Sequence, residues 1–102
     1  MFLIVSGNRE NMEYAIENQV WQTRRKFKVK KNEVVFIKVS GANTSEYLGI
    51  VTTKKYESIL DWPGDWNSNG QSKAHTIRFR PITEQDFAKG QTPIRYGKVK
   101  IK

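Results

Sequence analysis

Residues 1–23 read MFLIVSGNRENMEYAIENQVWQT, and this stretch sets the architecture that we expect. Its apolar run Phe2–Val5 is typical of a strand buried on both faces. Asn8 is a favoured helix N-cap, because its side chain accepts a hydrogen bond from a free N–H of the first turn. Apolar residues then recur at helical spacing, namely Met12, Ala15, Ile16 and Val20. They predict a helix over Arg9–Asn18, and we expect the helical segment to end at Val20–Thr23, with Trp21 at its close.

Three later segments predict the strands of a β-rich body. Val34–Val39 consists almost wholly of β-branched and aromatic residues, which favour strands. The polar residues that follow predict a hairpin to Tyr47–Thr53. In Lys73–Ile82 apolar and basic side chains alternate, so we expect a strand with one apolar face and one basic face that bears Arg78 and Arg80.

The remaining stretches predict loops and a second helix. Lys54–Gln71 combines proline, glycine and asparagine, which interrupt regular structure. Thr83–Asp86 predicts a short helical turn, and Thr92–Ile101 predicts a last strand or an extended tail. Together these predictions describe one α+β domain over residues 1–102. It would be a compact β-barrel of about five to six strands with one main N-terminal helix and a short second helix.

The charge of the chain favours an acidic partner. Eighteen Lys and Arg face ten Asp and Glu, and the resulting net charge of +8 attracts polyanions. Six cations crowd into the loop predicted over Gln22–Lys31; they are Arg24, Arg25, Lys26, Lys28, Lys30 and Lys31. This loop predicts an arm that contacts phosphates, with Phe27 as an aromatic anchor. The alternative is a solvated loop whose Phe27 enters the core.

Two of the three tryptophans lie in another predicted loop, within Trp62–Trp66 (WPGDW). Loops usually expose their residues, so these rings either plug one end of the barrel or wall a pocket. With Trp21 on the other side, Trp62 or Trp66 would form an aromatic box that stacks on a flat base. The amide of Asn11 could read the base edge, and the backbone N–H groups of Ser6, Gly7 and Asn8 could add contacts.

Few residues offer catalytic chemistry. His75 is the only histidine, no serine lies in a nucleophile-elbow sequence, and no glycine-rich loop carries the lysine of a phosphate-binding motif. The chain has no cysteine, which excludes disulfides and thiolate metal sites and fits an intracellular protein. Asp61 and Asp65 flank a Pro-Gly turn and would be a weak metal pair. We expect a binding protein that is not an enzyme, with no cofactor, metal or membrane segment.

The same residues carry a resemblance to a known family. Phe2–Asn11 followed by Val20–Thr23 resembles the opening of a YTH domain, and Asn8–Asn11 with Val20–Trp21 is equally similar to prokaryotic EVE domains. YTH and EVE domains share the PUA-like fold. The resemblance continues through Trp62 and four other stretches, which are Val34–Ser40, Leu48–Ile50, Ile77–Phe79 and Thr92–Gly97. The resemblance to these domains rests on the joint spacing of Asn11, Trp21 and Trp62.

The resemblance implies a reader of N6-methyladenine whose methyl group lies in an aromatic cage. The cage walls would be three tryptophans: Trp21, Trp62 and Trp66. Asn11 would contact the base ring, and the backbone at Gly7 and Gln22 would complete the edge contacts. This chain has Gly7 where these domains usually have asparagine, and Gln22 where they usually have serine or threonine.

The resemblance also implies a setting. Prokaryotic YTH- and EVE-like domains serve as the DNA-recognition modules of modification-dependent restriction systems such as the McrB type, so a motor or nuclease would be fused or associated. The short chain looks like a cytoplasmic archaeal or bacterial protein. In duplex DNA the target base would be flipped out. The alternatives are N6-methyladenine in RNA, a modified cytosine in DNA, a protein-interaction domain with structural tryptophans, and a hydrolase that uses Asp61 and Asp65.

Overall fold

The computed structural model describes residues 2–66 and 70–83. Its elements in chain order are β1 (Phe2–Ser6), α1 (Arg9–Asn18), β2 (Val20–Thr23), β3 (Val34–Val39), β4 (Tyr47–Ser58) and β5 (Lys73–Pro81). The strands form one sheet in the order β1-β3-β4-β5-β2. β1 and β3 run parallel, and the other neighbouring strands are antiparallel. The α+β class and the β3–β4 hairpin are confirmed.

The predicted helix is confirmed over Arg9–Asn18. Asn8 caps it, since its Oδ1 accepts a hydrogen bond from the backbone N–H of Asn11 at 2.8 Å. Met12 and Ala15 are buried on the side that packs against the sheet. The helix contacts β1, β2 and β3, so it lies beside both edges of the sheet.

Trp21 lies in a strand and not at the close of the helix. Gln19 ends α1 in the left-handed conformation, with a φ of 55°. Its carbonyl accepts a hydrogen bond from the backbone N–H of Phe79, and Val20–Thr23 then pairs with β5, where Trp21 is opposite Ile77. The predicted continuation of the helical segment to Thr23 was wrong, because pairing with a distant strand outweighs the helical spacing of Val20.

β4 is longer than the sequence predicts. It runs past the expected end at Thr53 to Ser58, so the irregular stretch begins at Ile59. A register shift between Val51 and Thr53 marks a bulge in its pairing with β5. The predicted second helix after Thr83 and the predicted last strand, Thr92–Ile101, fall outside the described residues.

The main core lies on the sheet face that packs against α1. Its buried members include Ile4, Met12, Ile37, Ile77 and Phe79, joined by Phe27 and Val29 from residues 24–33, here called the basic loop. Both edge strands, β1 and β2, line a single cleft, so the sheet is curved and brings its two edges near each other. Within the described ranges, no helix is long and apolar enough to cross a bilayer.

Candidate nucleic-acid interface

Four half-buried aromatic rings meet where residues 59–66, here called the tryptophan loop, cross α1 and β2. Trp62 is central, with ring-centroid distances of 4.7, 5.3 and 6.5 Å to Tyr14, Trp21 and Trp66. The structure thus brings the three predicted cage residues together and adds Tyr14, which sequence reasoning missed. Tyr14 lies about one helical turn after Asn11, and that spacing is the signal that could have found it.

Among the described rings, Trp21 and Trp62 pack directly against each other, without the gap that a base would need between them. Trp21 and Trp62 meet edge to face, with an interplanar angle of 70° and centroids 5.3 Å apart. Two walls that sandwich a base must lie nearly parallel and roughly 7 Å apart, which is twice the carbon–carbon contact distance. A base therefore fits between Trp21 and Trp62 only after one of the two rings moves.

Gln22 fastens the tryptophan loop to the sheet. Its side chain is 3% exposed, and its Oε1 accepts hydrogen bonds from the backbone N–H of Leu60 and the indole Nε1–H of Trp62, both at 2.9 Å. Its Nε2 donates to the Ser58 carbonyl at 3.0 Å and to Thr76 Oγ1 at 2.9 Å. Because all four hydrogen-bonding positions of the amide are filled, this side chain positions Trp62 and offers nothing to a ligand.

Two asparagines fasten the same loop to the start of α1. Asn11 is buried; its Oδ1 accepts a hydrogen bond from the Gly64 N–H at 2.7 Å, and its Nδ2 donates to the Gly64 carbonyl at 3.5 Å. Asn8 Nδ2 donates to the Asp65 carbonyl at 3.3 Å. A Cβ at Gly64 would clash with the Asn8 side chain, which caps α1, so this close approach favours glycine. In this conformation the amide that we expect to read a base edge holds the loop instead.

The turn before α1 buries one of its residues, Ser6, and exposes the next, Gly7. Ser6 is buried, and its Oγ donates to the Asn8 carbonyl at 2.6 Å. Gly7 is exposed, and a Cβ built there meets nothing within 4 Å. The turn therefore has room for the asparagine side chain that the YTH resemblance leads one to expect at Gly7.

Trp21 also lines the cleft between the two edge strands, a cavity of about 330 Å³. Its other apolar lining comes from β1 and the basic loop, through Phe2, Leu3, Ile4, Val5 and Phe27. Three cations share the lining: Arg25, Lys26 and Lys28. Among the described residues that line this cleft none is acidic, and its volume lies at the lower end of the roughly 300–1,000 Å³ typical of ligand sites. An apolar cavity with cations around it suits a base and its phosphate.

Phe27 enters the core, as the alternative interpretation of the basic loop holds. Its side chain is 7% exposed and meets Phe2 edge to face, with centroids 5.6 Å apart. The ring therefore anchors the loop to the core. Three cations beside it remain exposed and line the cleft: Arg25, Lys26 and Lys28.

The other predicted phosphate contacts lie apart from the cleft. Arg24 and Lys30 are exposed on the basic loop but are not among the residues that line the cavity. Arg78 forms an ion pair with Glu57. Strand alternation places Arg78 and Arg80 on the face of β5 opposite to Ile77, whereas Trp21 shares the Ile77 face. The structure does not bring these two arginines to the cleft.

The two aspartates of the hydrolase alternative are exposed. Asp61 and Asp65 lie at the two ends of the turn that contains Gly64, and the backbone carbonyl of Asp65 is held by Asn8. In the part of the chain that the structure describes, no three His, Cys, Asp or Glu side chains come together as a metal site.

No protein-family model matches this chain, and no curated protein is significantly similar to it. Its function is therefore inferred from its own residues and their geometry.

Proposed function

We propose that this protein is a non-catalytic, PUA-like module of the YTH/EVE type that binds nucleic acid and reads a methylated base, N6-methyladenine in DNA. One observation carries the proposal: Trp21 both packs on Trp62 and lines an apolar cleft that three cations share. The net charge of +8 supports a polyanionic ligand. One helix on a barrel-like, five-stranded sheet supports the PUA-like assignment.

Base entry in this proposal requires the tryptophan loop to open. Moving the loop separates Trp62 from Trp21 and releases the Asn11 amide from Gly64, which frees both a stacking slot and an edge-reading group. Breaking the Asn11–Gly64 pair costs about 1–3 kcal/mol. Stacking of the base contributes about 1–3 kcal/mol per aromatic contact, which offsets that cost.

Flipping a base out of duplex DNA adds a cost of a few kcal/mol. We therefore expect single-stranded DNA to bind more tightly than duplex DNA of the same sequence. Arg25, Lys26 and Lys28 would hold the phosphates on either side of the bound nucleotide. In the cell such a cytoplasmic module would direct the motor or nuclease of a modification-dependent restriction system to methylated DNA.

The proposal is tested by fluorescence-polarisation binding of one adenine-containing DNA with and without the N6-methyl group, single-stranded and duplex, at fixed salt. The methyl group should tighten binding by the wild type. Trp21→Ala should remove most of that preference and weaken the methylated DNA by roughly 5- to 150-fold, the equivalent of one stacking contact. Trp21→Phe, which keeps a ring in β2, is the matched control and should keep part of the preference.

Equal binding of methylated and unmethylated DNA would refute the adenine reader. Modified cytosines, and RNA of the same sequence as a competitor, would then separate the two other base-reading alternatives. Gly7→Asn gives a gain-of-function arm, since the exposed turn has room for the side chain. One added hydrogen bond to the base would tighten binding by roughly fivefold.

One observation favours the alternative of a protein-interaction domain with structural tryptophans. Trp62 packs against both Trp21 and Trp66. The side-chain amides of Gln22 and Asn11 form hydrogen bonds to the tryptophan loop. Tryptophan fluorescence distinguishes the two: a base that enters between the rings must quench or shift the emission. Emission unchanged by saturating methylated DNA would favour the structural role.

A further inference from the structure

A second aromatic feature lies on the sheet, apart from the tryptophan cluster. Tyr56 of β4 and His75 of β5 are directly paired across the strands, with ring centroids 4.9 Å apart and planes tilted by 47°. Tyr56 is 53% exposed and is one of the large apolar side chains that the described part of the protein presents to solvent. Cross-strand pairing accounts for their contact and leaves about half of the Tyr56 surface open to solvent.

Cations surround this pair. Tyr56 and His75 line a cavity of about 170 Å³ together with Lys26, Lys54 and Lys55. None of the described residues that line that cavity is acidic. Lys54 is held in place, because its Nζ donates to the Phe27 carbonyl of the basic loop at 3.3 Å. Aromatic rings beside fixed positive charge are what a nucleotide needs for its base and its phosphate.

The strand register connects this cavity to the cleft beside Trp21. Thr23 pairs with His75, and His75 pairs with Tyr56, so these three residues form one row across the sheet. Trp21 lies two residues before Thr23 on the same face of β2, which places it roughly 6.6 Å from that row. Lys26 lines both cavities and bridges them.

We propose that Tyr56 and His75 form a second nucleotide subsite, on which a base next to the one bound at Trp21 stacks. The phosphate between the two nucleotides would lie against Lys26 and Lys54. The subsite rests on the proposed function in that its ligand is single-stranded nucleic acid. The subsite also defines the path of the bound nucleic-acid strand, which runs from the cleft across the basic loop and over β4 and β5.

The test compares two labelled single-stranded DNA pentamers, identical except for one N6-methyl group, with competition by the N6-methyldeoxyadenosine nucleoside. Tyr56→Ala should weaken both pentamers by about fivefold or more and leave their affinity ratio unchanged. Competition by the nucleoside, which reaches only the tryptophan cluster, should be unaltered. Tyr56→Phe keeps the ring and should bind both pentamers as the wild type does. Thermal unfolding confirms that both variants are folded.

Wild-type pentamer affinity in Tyr56→Ala would overturn the second subsite, and so would an equal loss of nucleoside binding, since Tyr56 would then act on the tryptophan cluster. The two proposals fail separately. If the wild type binds both pentamers equally while Tyr56→Ala weakens both, the subsite stands and the methyl reader falls. If methyl preference is present and Tyr56→Ala has no effect, the reader stands and the subsite falls. A wild type that binds neither pentamer overturns both.

Discussion

The tryptophan loop and the basic loop adjoin the same residue, Trp21, and are held to the protein in different ways. Amide side chains hold the tryptophan loop through hydrogen bonds, and each of these fixes a direction as well as a distance. In the basic loop two apolar side chains, Phe27 and Val29, are buried in the core, backbone hydrogen bonds join Asn32 and Glu33 to Val51 of β4, and the cations stay exposed. A flat base must meet rings at a set angle, whereas a phosphate needs only nearby charge.

The largest expected effect is on the basic loop, through Phe27→Ala. Removing a buried phenylalanine ring should lower the free energy of unfolding by about 3–5 kcal/mol. Urea denaturation measures it, and Phe27→Leu, which leaves a smaller cavity, should cost clearly less. A loss below about 1 kcal/mol in Phe27→Ala would mean that the backbone hydrogen bonds to β4 hold this loop without the buried ring, and the contrast with the tryptophan loop would break down.

The next largest effect on stability is expected for Gln22→Met, which keeps a similar side-chain volume and should lower the free energy of unfolding by about 2–3 kcal/mol. The loss arises because the Leu60 N–H and the Trp62 indole N–H are left without their hydrogen-bond acceptor. Native-state tryptophan emission should shift to longer wavelength as Trp62 leaves its site. Phe27→Ala measured under conditions where it is folded serves as the control and should shift emission less. An unshifted Gln22→Met spectrum would mean that ring packing alone orients Trp62.

Asn11→Ala should lower the free energy of unfolding by about 1–2 kcal/mol, because it removes both hydrogen bonds to the backbone of Gly64. Asn11→Asp keeps an acceptor for the shorter bond, at 2.7 Å, and should cost less than the alanine variant. Hydrogen exchange at the Gly64 amide reports the opening of the loop directly. Faster exchange in Asn11→Ala than in Asn11→Asp sharpens the comparison. Equal exchange in both would remove Asn11 from the set of anchors.

The smallest effect on stability is expected for Lys28→Gln, within about 0.5 kcal/mol of the wild type, because the side chain is exposed. Its effect should appear in binding, where the slope of log affinity against log salt for single-stranded DNA falls by about 0.7. Arg80→Gln removes the same charge from the opposite face of β5 and should leave the slope unchanged. Equal slopes for the two variants would mean that the whole +8 surface binds phosphate without a defined path.

Local signals in the sequence were enough for α1 and β3. Asn8 indicates the N-cap of α1, and the spacing of apolar residues indicates its helical period. The composition of Val34–Val39 favours a strand whatever its neighbours are. β2 could not be found in this way, because Val20 continues the helical spacing and its strand pairing depends on β5. The same limit applies to the candidate site. The three tryptophans were grouped correctly, but the partner of Asn11 is Gly64, far along the chain.

The strand order has a consequence for how the protein is made. Among the described strands, the two at the ends of the sheet, β1 and β2, belong to the first quarter of the chain, and the described neighbour of β2 is β5. On the ribosome β2 must wait until the segment ending at Pro81 has been synthesised, an interval on the order of several seconds at roughly 5–20 residues per second. Through that interval Val20 and Trp21 lack the strand that they pair with in the described structure. The pairing of β2 is therefore a late step in the folding of a newly made chain, which is most exposed to aggregation at the residues around Trp21 until then.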